Sequence, residues 1–284
     1  MENWDDKGEL SGGSDDDTKV EFEDHAADNY FVYDGAQYRT VTLSDGSRWM
    51  AEPLRYLPAG YTPSAVATEK SHIWYPYAMT DVTDKITAGG AQALTDEESL
   101  REKGYLYDFY AAFGGKEITE ENMYEFEGTQ GICPEGWHIP TRMEYIALCG
   151  LSNKAVGEAG NYTDASALFY DATYGGGKYT LYNAAGWNYA LTGARMQSTD
   201  TATPAFQLTT FYSGNTTEAT PAECTGGTPA LTYIMSSTGY TKVTGGIQFF
   251  AQMTTFTKIY PEGRINVAYV NINSGMQVRC VENR

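Results

Sequence analysis

A cysteine nucleophile with a histidine base is the chemistry that Cys133 and His138 could support, since they lie five residues apart. The surrounding residues, CPEGWHIP, fit a corner between a strand and a helix better. In that interpretation Trp137 belongs to the core, and His138 caps or packs against the helix. Catalysis also requires the base to lie beside the nucleophile, which spacing alone does not establish. We therefore expect a protein that is not an enzyme, with no catalytic residues.

Other reactive groups lack the spacing that their chemistry needs. Two carboxylates on one cleft would suit a glycosidase, but most acidic residues lie in the N-terminal tail or in the polar segment 80–127. The cysteines form no CxxC motif, and the three histidines lie far apart. Asp15-Asp16-Asp17 lacks the ligand spacing of an EF-hand, and Gly175-Gly176-Gly177 is followed by no GK[ST]. We expect neither a metal nor a cofactor.

The composition indicates a globular, acidic, β-rich chain. It has 284 residues, of which 42% are hydrophobic and 20% are charged, and its net charge is -18. Such a charge argues against nucleic acid and anionic membrane surfaces as partners, because both need a basic face. No run of 18 apolar residues is present. The 23 tyrosines and 30 glycines favour strands and tight turns.

The chain has four cysteines, Cys133, Cys149, Cys224 and Cys280. An even number in an acidic chain rich in Tyr, Thr and Gly fits an exported protein with two disulfides, for which three pairings exist. A reduced cytosolic protein is the alternative, and the cysteine pattern alone does not exclude it.

The first thirty residues differ from the rest of the chain. They contain eleven acidic and two basic residues, a net charge of -9. Because SGGSDDDTK combines flexible residues with like charges, we expect residues 1–28 to be a flexible acidic tether. Neither a basic start nor an apolar segment follows Met1, which alone would indicate the cytoplasm. Because the cysteines indicate an exported protein, we expect Met1 to stand in place of a removed secretion signal.

Turn and cap signals divide residues 30–150 into short elements. Residues 30–50 predict a strand meander with turns at Asp34-Gly35 and Asp45-Gly46. The segment TDEESLREKG predicts a short helix capped by Thr95, and GYLYDFYAAFGG predicts a buried strand or a helix. Thr141 with Glu144 forms a capping box, and we expect the helix that follows to bury the face of Met143, Ile146, Ala147 and Cys149.

The second half of the chain is less regular. Residues 151–182 are rich in Gly, Tyr and Asn, and residues 196–244 predict a long loop region with short strands. The last forty residues predict three strands, at 245–257, 265–272 and 276–283.

Several segments, in this order, resemble the Fibrobacter succinogenes major paralogous domain, a family of bacterial surface and secreted proteins. They are DGSRWMAEPLRYL, GYLYDFYAAF, GICPEGWHIPTRMEYIAL, NAAGWNYALTGAR and the closing GMQVRCVEN. The resemblance implies an α+β, C-type lectin-like fold, with small sheets near the joined termini and long loops on the opposite side. Residues 29–284 would form this single domain, with loop insertions at about 151–182 and 196–244. AEPL and GWNY do not match the calcium-binding loops of sugar-binding C-type lectins.

The resemblance also implies which residues meet. Cys133 and Cys280 lie in the two most family-like segments and would form a disulfide, which leaves Cys149 and Cys224 as the second pair. Because the termini would meet at one pole, the loops 151–195 and 196–244 would form the opposite, outward pole, which we call the loop face. Candidate ligand-binding residues on the loop face are Trp187, Asn188, Tyr189, Phe211, Tyr212, Asn215 and Tyr240, with Tyr212 and Tyr240 expected to be the most exposed.

Two functions fit these expectations. The first is a lipid-anchored protein on the outer face of the outer membrane that binds a glycan, a peptide or a protein through its loop face. The acidic start, which resembles the segment after the lipidated cysteine of Bacteroidetes surface lipoproteins, favours this location. The second is a structural or adhesive subunit, such as a fimbrial tip or an accessory part of an outer-membrane uptake complex. An exposed apolar patch or a free edge strand would favour the second.

Overall fold

The computed structural model describes residues 20–43, 45–66, 69–79, 91–148, 161–162, 194–197, 208–212, 230–241, 247–256 and 264–284. Within these ranges the chain is an α+β protein of antiparallel sheets with few, short helices. The strands are β1 (Phe22–His25), β2 (Tyr30–Tyr33), β3 (Ala36–Thr42), β4 (Arg48–Met50), β5 (Ile73–Trp74), β6 (Tyr77–Met79), β7 (Ala91–Ala93), β8 (Leu106–Tyr107), β9 (Trp137–His138), β10 (Asn161–Tyr162), β11 (Ala194–Gln197), β12 (Leu208–Tyr212), β13 (Ala230–Thr241), β14 (Ile247–Phe256), β15 (Arg264–Asn271) and β16 (Val281–Glu282). The α-helices are α1 (Glu97–Lys103), α2 (Phe109–Ala112) and α3 (Arg142–Leu148).

Two sheets dominate the described residues. One has the order β1-β2-β3-β4-β16-β9 and holds both ends of the described chain, so we call it the terminal sheet. The other has the order β10-β15-β14-β13. Three two-stranded pairs, β5-β8, β6-β7 and β11-β12, complete the pattern.

The start of the described chain is packed, so the expected tether boundary at residue 28 is wrong. Strand β1 pairs with β2, and the rings of Phe22 and Phe31 lie 5.6 Å apart. The carboxylate of Asp24 accepts hydrogen bonds of 2.7 and 2.8 Å from the buried guanidinium of Arg48. The -9 charge concealed this strand, which is held by its pairing with β2, by the Phe22 ring and by the Asp24 ion pair. Residues 1–19 of the predicted tether lie outside the described residues.

The predicted meander forms, because its turn chemistry suits two-residue hairpins. Asp34 and Gly35 join β2 to β3 with φ angles of 50° and 69°, the positive values that a type I′ turn requires. Along β3 burial then alternates, with Tyr38 and Thr40 inside and Gln37 and Arg39 outside.

The two N-terminal helices begin at aspartates. Helix α1 is capped by Asp96, which accepts from the Ser99 N–H at 2.9 Å, one residue later than the expected Thr95. Asp96 makes the stronger cap because its charge also faces the positive end of the helix. The segment GYLYDFYAAFGG contains both of the expected alternatives, since β8 leads directly into α2 and Asp108 caps that helix.

Helix α3 confirms the capping box but not the predicted buried face. The Thr141 N–H donates to Glu144 Oε2 at 2.8 Å, and the Glu144 N–H donates back to Thr141 Oγ1 at 3.2 Å. Met143 and Ala147 are exposed, whereas Tyr145, Ile146 and Leu148 are buried. The helix buries the side that packs on β13, β14 and β15, and those strands are distant in sequence.

His138 packs against α3, as its position after Trp137 suggests. Its Nε2 lies 3.0 Å from both carboxylate oxygens of Glu144, and its Nδ1 lies 2.6 Å from Asn283 Oδ1. Burial lowers the pKa of His138, but the hydrogen bond and charge of Glu144 outweigh it, so the pKa is raised. Burial raises the pKa of Glu144, but hydrogen bonds from His138 and Thr141 lower it overall. The network ties the C-terminal residues to α3.

The expectation of only short strands in 196–244 is wrong for its last part. Strand β13 has twelve residues and pairs with β14 along its length, with a bulge between Met235 and Gly239. Its Thr, Ser and Tyr residues resemble a loop in composition, but Thr232, Tyr233, Ser236 and Ser237 are all buried in the strand. Strands β14 and β15 confirm two of the three predicted C-terminal strands. Of residues 276–283, Val281–Glu282 forms strand β16.

The core is rich in aromatic rings, consistent with the composition. Phe113 packs on Phe126 with ring centroids 4.6 Å apart, and Phe109 stacks on Phe249 of β14 at 4.8 Å. All of these rings are buried, so they join α2 to the second sheet. None of the described helices is long and apolar enough to cross a membrane.

Candidate ligand-binding site

The structure places part of the predicted loop face. Tyr240 is half-buried on β13, and its ring stacks on Tyr269 at 5.0 Å and lies 5.3 Å from Phe250. Phe211 and Tyr212 lie on β12, in register with Arg195 and Ala194 of β11. Four other candidates, Trp187, Asn188, Tyr189 and Asn215, lie outside the described residues.

The expected disulfide between Cys133 and Cys280 is present, with Cα atoms 5.9 Å apart and both residues fully buried. Cys133 therefore offers no thiolate to His138. Cys149 and Cys224 lie outside the described residues.

The segment that precedes Cys280 runs through the core to the terminal sheet. Its carbonyls accept backbone hydrogen bonds from other segments: Cys280 from the Met50 N–H, Val278 from the Leu54 N–H, Met276 from the Tyr107 N–H and Ile272 from the Phe109 N–H. From Val281 to Met276 an extended chain covers roughly 17 Å. Tyr107 and Phe109 therefore contact the C-terminal segment five and nine residues before Val281 of strand β16.

Beside this contact, His72 and Asp108 form a pair that the sequence did not reveal. The His72 Nδ1 lies 2.7 Å from Asp108 Oδ2, and the Asp108 N–H donates to the His72 carbonyl at 3.0 Å. The imidazole is 42% exposed, whereas the carboxylate side chain is 1% exposed. Because the pair is joined through Nδ1, the other ring nitrogen, Nε2, is left for solvent or a ligand.

Asp108 is held firmly. It caps α2 by accepting from the Ala111 N–H at 2.8 Å. Burial raises the pKa of its carboxyl, against the hydrogen bond and charge of His72. Arg195, itself buried, also opposes that rise through its charge.

Arg195 is fixed beside this pair by an aromatic ring and a carbonyl. Its guanidinium lies 3.9 Å from the centre of the Trp74 ring, and its Nη1 donates to the Asn273 carbonyl at 3.0 Å. Burial lowers the pKa of Arg195 to about 10, so its charge persists at neutral pH. Strand β11 brings it here, since the Arg195 and Gly275 backbones pair at 2.7 and 2.8 Å.

Two half-exposed tyrosines flank the imidazole. The ring of Tyr110 lies 4.6 Å from that of His72, and Tyr61 meets it edge-on at 6.1 Å. Burial, with the charges of Tyr110 and Asp108, raises the pKa of Tyr61 to about 12. Its hydroxyl therefore stays protonated at neutral pH and can donate a hydrogen bond. We call Tyr61, His72 and Tyr110 the tyrosine-histidine site.

The tyrosine-histidine site can bind a ligand, and an oriented imidazole can also transfer protons. Among the described residues, no group of three or more His, Cys, Asp or Glu side chains could hold a metal ion. Sequence reasoning missed the site because His72 and Asp108 are 36 residues apart and share no motif. The aspartate before FYAA, a helix cap in an aromatic segment, was the one available signal.

Residues 45–282 match the family model of the Fibrobacter succinogenes major domain, so the chain belongs to this family. No curated protein and no solved structure matches the chain.

Proposed function

We propose that this protein is a non-enzymatic cell-surface lipoprotein that binds a ligand through the pole opposite its termini. The ligand is a glycan, a peptide or a protein, and the fold is of the C-type lectin-like kind. Antiparallel sheets, short helices and both ends of the described chain in one sheet are consistent with that fold.

The observation that carries the proposal is the tyrosine-histidine site. A buried carboxylate costs stability unless it is paired, and here it serves to orient an imidazole that faces solvent. Side chains held in place before binding lose little conformational entropy when a ligand arrives. Such preorganisation is more useful to a binding surface than to a passive scaffold.

The proposed location is the outer face of the outer membrane, and the start of the sequence supports it. An acidic, Gly/Ser-rich start would act as a tether to a lipid anchor in the outer membrane. In this proposal the tyrosine-histidine site lies on the pole opposite the tether and faces outward. The net charge of -18 disfavours nucleic acid as a partner.

A structural or adhesive subunit, or an accessory part of an outer-membrane transporter complex, is the second candidate. Strand β1 lies at the edge of the terminal sheet, and a groove of about 730 Å³ runs beside it. Residues that line this groove include Phe22, Tyr33, Gln130 and Glu135. An edge strand beside a groove is the geometry by which subunits add strands to one another.

An array of glycans and peptides tests the main proposal on the whole protein. The tested chains are the wild type and the variant His72→Asn, in which the asparagine amide can still donate to Asp108 while Nε2 is absent. We expect array binding by the wild type and weaker binding by the variant. No binding to any glycan or peptide, together with co-purification of an outer-membrane complex through the β1 edge, would favour the second candidate instead.

A further inference from the structure

We propose that the tyrosine-histidine site binds a neutral saccharide, with the tyrosine rings contacting the sugar face and His72 Nε2 contacting a hydroxyl. This inference rests on the proposed function and narrows its ligand to one class. Two features of the site support it: its two charged side chains are buried, and the hydroxyls of its two tyrosines converge.

The two charged side chains beside the site are buried. The Asp108 carboxylate and the Arg195 guanidinium are 1% and 2% exposed. An anionic ligand would need an accessible guanidinium, and a cationic one an accessible carboxylate. Of the five side chains described above, the ones that reach solvent are two phenols and one imidazole, which favours a ligand without net charge.

The polar tips of the two tyrosines converge over Gly115. A Cβ atom at that glycine would lie 3.3 Å from Tyr61 Oη and 3.6 Å from Tyr110 Oη. Both hydroxyls therefore border the same small space, and Gly115 leaves it open. A ligand in this space would therefore meet both tyrosine hydroxyls within the width of one sugar ring.

A hydroxyl is the ligand group that pairs with all three tips. Imidazole Nε2 accepts when the ring is neutral and donates when it is protonated, and a phenol does both. A hydroxyl also donates and accepts, so it suits His72 in either state. A saccharide ring combines such hydroxyls with an apolar C–H face that packs against aromatic rings.

The extended peptide is the competing ligand, and the site does not favour it. Peptides that bind as added strands use the open backbone groups of a sheet edge. Three backbone N–H groups at the tyrosine-histidine site are already paired, with Asp108 N–H bonded to His72 O, Phe109 N–H bonded to Ile272 O and Tyr61 N–H bonded to Pro58 O.

The test measures binding of neutral oligosaccharides to the whole protein. The probes are tetrasaccharides of glucose, galactose, mannose, xylose and N-acetylglucosamine, detected by saturation-transfer NMR and titrated for Kd. The test variants are His72→Asn, described above, and Tyr110→Phe, which removes one hydroxyl. The matched control is His25→Asn, because His25 is 36% exposed and stacks on Tyr30 at 4.4 Å, but on the terminal sheet.

We expect at least one tetrasaccharide to bind, with Kd raised tenfold or more in His72→Asn and severalfold in Tyr110→Phe, and within twofold of wild type in His25→Asn. Thermal melting of each variant checks that it folds. Binding of no tetrasaccharide, or equal binding by His72→Asn and wild type, would overturn the inference. If peptides on the array bind while every tetrasaccharide fails, the proposed function stands and the saccharide inference falls.

Discussion

Replacing both Cys133 and Cys280 by alanine should lower the free energy of unfolding by about 3–5 kcal/mol. The bond links residues 147 positions apart. On the chain-entropy model, opening a loop of that length stabilises the unfolded chain by about 5 kcal/mol through its regained conformational entropy. Residual structure in the unfolded chain reduces this effect. Both residues are fully buried, so alanine exposes no new polar group in the core.

Equilibrium unfolding in guanidinium measures the loss, and the wild type with its disulfide reduced should lose a similar amount. The double variant Cys149→Ala/Cys224→Ala is the comparison, because it loses several kcal/mol only if those residues are also paired. A loss below about 1 kcal/mol in the Cys133 and Cys280 variant with an unchanged m value would refute the reasoning. Free thiols at both positions in a non-reducing peptide map would do the same.

Two further predictions concern the ends of the described chain. Deleting residues 1–19 should leave the melting temperature almost unchanged. Deleting residues 1–28 should lower it by about 4–8 °C, because the buried Arg48 then loses its Asp24 partner on β1. Equal melting temperatures for the two truncations would contradict this prediction. Glu144→Gln keeps an acceptor for the helix cap but removes the charge beside His138. Thermal melting of this variant and of the wild type is followed from pH 3.5 to 8.5. The melting temperature of the variant should fall furthest below that of the wild type between about pH 4.5 and 6.5.

The sign of that pH dependence follows from the two pKa directions. The raised pKa of His138 gives a stabilisation that is complete below the unfolded value of 6.5 and is lost as pH rises through the folded pKa. The lowered pKa of Glu144 gives one that is complete above 4.5 and is lost as pH falls through the folded pKa. A difference between variant and wild type that is constant across this range would show that the ion pair contributes nothing.

Short-range chemistry made part of the fold predictable. The Asp34-Gly35 turn and the Thr141 capping box depend on residues within three positions of each other, and both form as expected. The disulfide was predictable only through the family resemblance, because four cysteines alone allow three pairings.

What the sequence concealed depends on distant contacts. The buried side of α3 is chosen by β13, β14 and β15, so Met143 points to solvent despite its apolar character. The pairing of His72 with Asp108 requires β5 to meet β8 and the start of α2. Neither contact leaves a periodic signal in the chain, and a single histidine with a distant aspartate has no motif.

A crystal structure of the whole protein with its tightest-binding tetrasaccharide would show where the sugar binds. We expect the sugar against Tyr61 and Tyr110, with a hydroxyl within hydrogen-bond distance of His72 Nε2 and with no contact to the terminal sheet. A sugar bound along β1 or elsewhere on the terminal sheet, with His72 untouched, would contradict it.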